Sequence, residues 1–421
     1  MTELTAPAVP NASCPHHVAA AKYAPFQHEG MYEFFASIRS DVPVFYSPEI
    51  EYWVVTRRED VLATLRDHER FSAEIATQPL TNWPQKMRGY LQEMGFTNEA
   101  VQVACDPPRH TRIRNVASRF LNIRQFSLYE GALRNLVRAY IDRFDRQDEV
   151  DLVDALFYEF PAQVVFLLLG EATFDPRKIK KWGDLRLNMI WGKPSEAELE
   201  EAVHDLVGFW EYAAGLVEAR KTEPGDDYPS FLLEKRNGDD AVLTVNEITS
   251  LVFGLLLAGH ETTTNAAGNL FLELMKHPEQ WAKIVRNPGL IPNAVEEGLR
   301  HASSVVAWRR TAKVDVTIAG QDIPKGSKIL IALGSANHDD TRFENAECFD
   351  VERKNPREHL AFGTGIHSCL GAPLARLELK ILLEELSAQF PKMTLVPDQQ
   401  IDWTKTISFR GPSQLRVRLH A

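Results

Sequence analysis

Residues 362–371 read Phe362-Gly363-Thr364-Gly365-Ile366-His367-Ser368-Cys369-Leu370-Gly371. Gly363 and Gly365, at alternate positions, permit a tight loop whose backbone N–H groups turn inward. Cys369 follows, and Gly371 leads into a predicted helix, Pro373–Gln389, with Pro in its first turn. A cysteine at the positive end of a helix is favoured as its thiolate. With no second Cys or His at zinc-ligand spacing, such a thiolate suits a single axial bond to a metal already held by a macrocycle. Cys105 and Cys348 lack that setting and read as inert thiols.

Upstream, Thr244-Val245-Asn246-Glu247 has the pattern of a capping box. It opens a helical pattern that runs from Val245 to Lys276 and stops before His277-Pro278. That is about 32 residues, or roughly 48 Å at 1.5 Å per residue. Residues Leu251–Ala258 are apolar on every face, so this helix is predicted to run through the interior. Ala258-Gly259-His260-Glu261-Thr262 then places a glycine and a carboxylate in the middle of it. Glycine costs a helix about 1 kcal/mol relative to Ala, and a buried carboxylate costs more unless it is paired or wet. Two such departures side by side mark a site.

Around these two segments the chain reads as mainly α with a small β component (α+β). Helical patterns cover Arg58–Asp67, Leu128–Phe144, Ala162–Leu169, Glu196–Thr222 and Pro292–His301. Strand patterns are short: Glu51–Thr56, Val314–Ala319, Ser327–Leu333, Thr406–Phe409 and Gln414–Leu419. Residues 1–22 read as a loose tail, including the Cys-Pro-His-His of Cys14–His17, and 23–421 as one domain without repeats or linkers. The 421 residues carry 47 Lys+Arg against 58 Asp+Glu, a net charge of −11 that argues against nucleic-acid binding. Four widely spaced cysteines fit a reduced, cytoplasmic setting better than a disulfide framework. No signal-peptide pattern and no apolar run of spanning length is expected to anchor the chain in a membrane.

Phe362–Gly371 matches the F-G-x-G-x-H-x-C-x-G haem loop of the cytochrome P-450 superfamily, and Ala258–Thr262 matches its A-G-x-[DE]-T motif. Glu297-Gly298-Leu299-Arg300 matches E-x-x-R, and Phe349–Arg353 resembles the segment whose Arg joins that pair. His110–Arg114, after Asp106-Pro107-Pro108, matches the H-x-x-x-R of soluble bacterial members. Five motifs in the family's order make the chain resemble that superfamily along nearly its whole length. The resemblance implies haem b held between the long central helix and the Cys-loop helix. Cys369 would be the only protein ligand to iron, and Phe362 would pack near its sulfur. Gly363 and Gly371 would shape the loop, and Ala258 and Gly259 would border the ring from the distal side. His110, Arg114, Arg310 and His367 would bind the propionates, with Arg309 as the alternative to Arg310. Glu261 and Thr262 would deliver protons to dioxygen, and Glu297, Arg300 and Arg353 would form a structural ion-pair network.

The implied activity is a haem-thiolate monooxygenase that hydroxylates or O-dealkylates a small hydrophobic substrate, with aromatic molecules among the candidates. Its two electrons would come from a ferredoxin or flavodoxin-type donor with an NAD(P)H reductase, separate or fused. A peroxide-driven peroxygenase is the alternative in the same fold, and a haem sensor or carrier the non-enzymatic one; the Glu261–Thr262 pair disfavours both. Trp83, Tyr90, Phe96, Trp191, Gly254, Val306 and Phe409 are candidate pocket residues, each of which could equally be core. Arg109, Arg112, Arg119, Arg124 and Arg376 form a candidate docking face for an acidic donor.

Overall fold

The capping box at the start of the central helix forms. Glu247 N–H donates to Thr244 Oγ1 at 3.0 Å, and Thr244 N–H donates to Glu247 Oε2 at 3.0 Å. In this computed structural model, which describes residues 15–171 and 173–420, the helix runs Val245–Ala258, and a second begins at Glu261 and ends at Lys276. The expected continuous helix is therefore broken at Gly259-His260. His260 N–H reaches back only to Leu257 O, at 3.4 Å, while Thr262 Oγ1 donates to Ala258 O at 3.1 Å. A hydroxyl competing for the carbonyl of the preceding turn loosens the ladder at that point. Sterics fix the position of the break, because a Cβ on Gly259 would lie 2.5 Å from Val165 Cγ2.

Helices dominate the remainder, and strands are two to five residues long. Glu196–Thr222 is opened by the Ser195/Glu198 capping box and packs on the Val245–Ala258 helix. Phe160–Leu169, apolar on nearly every face, lies against the same helix. A five-stranded sheet orders Val44–Ser47, Tyr52–Val55, Lys328–Ile331, Trp308–Ala312 and Phe71–Ser72, antiparallel except where Tyr52–Val55 meets Lys328–Ile331. Among the described residues no helix is long and apolar enough to cross a membrane.

Some expectations shift. Residues Pro15–Lys22, expected to belong to the loose tail, form a helix with Ala19 buried and His16 Nδ1 2.9 Å from Val44 O. Residues 1–14, with Cys14, lie outside the described residues. The strand expected over Thr406–Phe409 is reduced to a bridge between Val305 and Phe409, because Thr406 Oγ1 accepts from Phe409 N–H at 2.8 Å and turns the chain.

Behind the Cys loop, Glu297, Arg300 and Arg353 meet in the interior. Arg300 Nε and Nη2 donate to the two Glu297 oxygens at 2.7 and 2.8 Å, and Arg353 Nε donates at 3.1 Å. Remaining donors are taken by the carbonyls of Asn337, Ala346, Cys348, Glu344 and Asn345. The adjacent Glu296 is a second buried acid, holding Arg376 at 2.8 Å and His359 at 3.0 Å. The two acids tie the Ile291–His301 helix to the chain that leads into the Cys loop.

Candidate active site

Positive φ at Gly363 (64°) and Gly365 (73°) lets the Cys loop turn tightly, with Cys369 N–H donating to Phe362 O at 3.0 Å. The loop delivers Cys369 to the start of the Ala372–Gln389 helix, on the wall of a cavity of about 330 Å³. Phe362, Gly363, His367 and Gly371 share that wall, as do Ala258, Gly259, Glu261 and Thr262 from the helix break. Cys369 and the break thus border one space. Burial pushes the Cys369 thiol up, and the Gly371 and Ala372 N–H groups with Arg114 and Arg376 only partly oppose it. A cation bound at the sulfur would favour the thiolate further.

The donors around the cavity fit haem. Arg114, Arg310 and His367 line it, and among the described residues neither arginine pairs with a carboxylate. His110 packs its ring 4.5 Å from that of His367, and His110 Nδ1 and His367 Nε2 are buried without a partner among the described residues. Two cations and two orphaned imidazole nitrogens suit a pair of buried acidic groups. Arg309 turns away, donating to Ala76 O at 2.8 Å, as alternation along the Trp308–Ala312 strand requires. Among the described residues no cluster of three His, Cys, Asp or Glu side chains could hold an ion alone, so iron at Cys369 needs its other ligands from a macrocycle.

At the break, Glu261 is buried and paired with Lys180 Nζ at 2.7 Å, with His260 Nδ1 at 3.0 Å. Lys180 also lies over the Tyr158 ring, 4.7 Å from its centroid. Burial alone would raise Glu261, but Lys180 and His260 outweigh it and hold the carboxyl down at about 2. Asp184, one helical turn beyond Lys180 on the Pro176–Trp191 helix, behaves oppositely. Protein packed on its inner side and the Glu261 charge raise it to about 7, while its outer side meets solvent, and Tyr158 donates to it at 2.9 Å. Gly183 makes this approach possible, since a Cβ there would stand 2.6 Å from Glu261 Oε1.

Of the candidate pocket residues, Trp191, Gly254 and Phe409 line the cavity; Trp83, Tyr90, Phe96 and Val306 do not. Tyr90 bonds His204 at 2.7 Å, and Phe96 packs on Trp210 and Phe253. Val306 is held outward by its N–H to Ser408 O at 2.8 Å, so its neighbour Val305 faces in, with Trp308. Lys180, Asp184, Arg186, Leu187 and Glu378 are not singled out by the sequence, although the family resemblance puts the segment Trp182–Trp191 at the pocket. Their signal was faint: Lys180 and Arg186 occupy buried positions on one helix, charged residues where apolar ones belong. Glu378, buried on the cavity wall with both oxygens unpartnered among the described residues, is pushed well up by burial.

The docking face is smaller than expected. Arg109 pairs with Glu99 and Glu247, Arg112 with Glu247 at 2.6 Å, and Arg376 with Glu296. These three charges are neutralised within the fold. Among the described residues Arg119 and Arg124 have no carboxylate partner, and they flank the exposed Ile123 and Leu128.

The cytochrome P-450 family model matches residues 199–287 and 289–406. The chain is 33% identical to the 6-deoxyerythronolide B hydroxylase of Saccharopolyspora erythraea, over 93% of this chain and 96% of that enzyme. Among solved structures it resembles cytochrome P-450 CREJ in complex with (4-ethylphenyl) dihydrogen phosphate, at TM-score 0.92 and 37% identity, covering 95% of this chain and all of that one. It also resembles an intact type IV self-sufficient cytochrome P-450 monooxygenase, at TM-score 0.91 and 36% identity, covering 95% of this chain but 53% of that one. Joined to a cysteine loop and a broken helix facing one cavity, these likenesses mean that the chain belongs to the cytochrome P-450 family of haem-iron monooxygenases.

Proposed function

We propose that the chain binds haem b (iron protoporphyrin IX) through Cys369 and inserts one atom of dioxygen into a small hydrophobic, aromatic substrate, by hydroxylation or O-dealkylation. The observation that carries this is the shared cavity wall of Cys369, Glu261 and Thr262. Bound there, haem supplies the activation of dioxygen, which a thiolate ligand favours. Arg114, Arg310, His110 and His367 hold its acidic groups, and Phe362, with Arg376 4.6 Å from its ring centroid, shields the sulfur from water. Leu187, Trp191, Val305, Trp308 and Phe409 wall the substrate space, and the aryl ligand named for the CREJ structure supports an aromatic occupant.

Protons come through the helix break. Asp184, at the outer end, is the acid that can take up a proton near neutrality, while Lys180 holds Glu261 down. When Lys180 swings away, Glu261 rises and takes the proton inward, and Thr262 passes it into the cavity. Retention of this relay favours dioxygen chemistry over a peroxygenase or a haem carrier. Electrons come from a ferredoxin or flavodoxin-type donor with an NAD(P)H reductase, separate or fused, in the cytoplasm. The donor's docking point is the Ile123–Ser127 helix, which packs on the Ala372–Gln389 helix. The reduced carbon monoxide complex should show the red-shifted Soret band of thiolate ligation, and NAD(P)H, dioxygen and product should be used and formed one to one. A Cys369→Ser protein that still binds haem and keeps the band would refute the ligand assignment.

A further inference from the structure

Among the described residues three arginines line the cavity. Arg114 donates to Ser368 O in the Cys loop at 2.6 Å, and Arg310 stands in the sheet beside it; both are accounted for by the acidic groups of haem. Arg186 is held against a different wall. It is 7% exposed, and its guanidinium carbon lies 3.9 Å from the Phe253 ring centroid on the Val245–Ala258 helix. Among the described residues its one hydrogen bond runs from Nη1 to Phe253 O at 3.3 Å. Among the described residues no carboxylate pairs with it, and burial alone draws its pKa down to about 9. Lys180, six residues earlier on the same helix, has Glu261 as its counter-ion, and Arg300 has Glu297. A buried cation without a counter-ion is costly, and one facing a substrate cavity is served by an anion that arrives with the ligand.

We propose that Arg186 anchors the anionic group of the substrate, a hydrophobic, aromatic molecule bearing one carboxylate or phosphate. The planar fork takes either group in bidentate fashion. The apolar body then lies along Leu187, Trp191, Trp308 and Phe409 toward Ala258 and Thr262. This assignment rests on the cavity being the substrate site of the monooxygenase.

The test is calorimetric binding to the oxidised, haem-loaded protein of phenylbutyrate, phenylpropyl phosphate and the neutral phenylbutyramide. Both anions should bind about 30-fold more tightly than the amide, the scale of a charge-assisted hydrogen-bond pair. Arg186→Met should cut the anions' affinity about 30-fold and leave the amide unchanged, and Arg186→Lys should restore part of it. Phosphate binding that strengthens between about pH 5.5 and 7.5, as its second proton leaves, identifies a phosphate site; a flat profile with tighter phenylbutyrate identifies a carboxylate site. If Arg186→Met does not fold, the wild-type ratio of anion to amide decides. Equal affinity for amide and anions, or anion binding untouched by Arg186→Met, overturns the proposal. Binding is read without a reductase, so failure of the monooxygenase reading would appear separately, as bound anion that is never oxidised.

Discussion

Glu297 and Glu261 are both buried carboxylates paired with a buried cation, yet their surroundings differ at every further contact. Around Glu297 each donor of Arg300 and Arg353 has an acceptor, most of them backbone carbonyls of a single stretch, residues 337–348. Around Glu261 the cation Lys180 comes from another helix, His260 lies beside it in the break, and the second acid, Asp184, is raised where Glu261 is lowered. One cluster borders protein on all sides; the other borders the cavity through Glu261 and solvent through Asp184. A fully satisfied network holds position, whereas an unequal pair of acids spanning inside and outside can pass a proton.

The largest contrast is in stability. Arg300→Met leaves Glu297 charged and alone, and should cost about 3–5 kcal/mol in urea unfolding, with haem lost as the Cys loop loosens. Thr262→Ala should leave stability and substrate affinity intact and lower product formed per NAD(P)H roughly 10-fold, with peroxide appearing instead. A variant that lost substrate binding and stayed coupled would contradict the role given to Thr262.

Asp184→Asn separates the clusters by pH. With its pKa raised to about 7, Asp184 carries its proton below that pH and loses it above, so proton-limited turnover should fall as pH rises through 7. The asparagine variant should be slower at low pH and lack that step. Stability moves the same way: the folded state binds the extra proton between the ordinary carboxyl range and 7, so melting temperature should decline across that window in wild type and flatten in the variant. The smallest effects belong to the surface. Arg124→Glu should slow reduction by a separate ferredoxin a few-fold at low salt and little at high salt. Arg112→Glu should act by losing its bond to Glu247, lowering stability with no salt-dependent change in reduction rate.

The Cys loop, the capping box and the Glu297–Arg300 pair were legible because each is made within a few residues of chain, where spacing dictates contact. The partners of Glu261 were not. Lys180 and Asp184 meet it from some 80 residues away, and only tertiary packing brings the Gly183 face against the break. Val305 and Val306 show the limit on a finer scale: both are apolar, and the pairing with Phe409 and Ser408 decides which one faces the cavity.

The claim that the open cluster feeds protons is tested most directly by the double variant Lys180→Met/Glu261→Gln, which removes both charges and leaves neither buried alone. Product formation with saturating reductase, in water and in deuterium oxide, is the measurement. Haem content and melting temperature should stay near wild type, product formation should fall about 100-fold, and the solvent isotope effect should grow. Wild-type rates with an unchanged isotope effect would contradict the account.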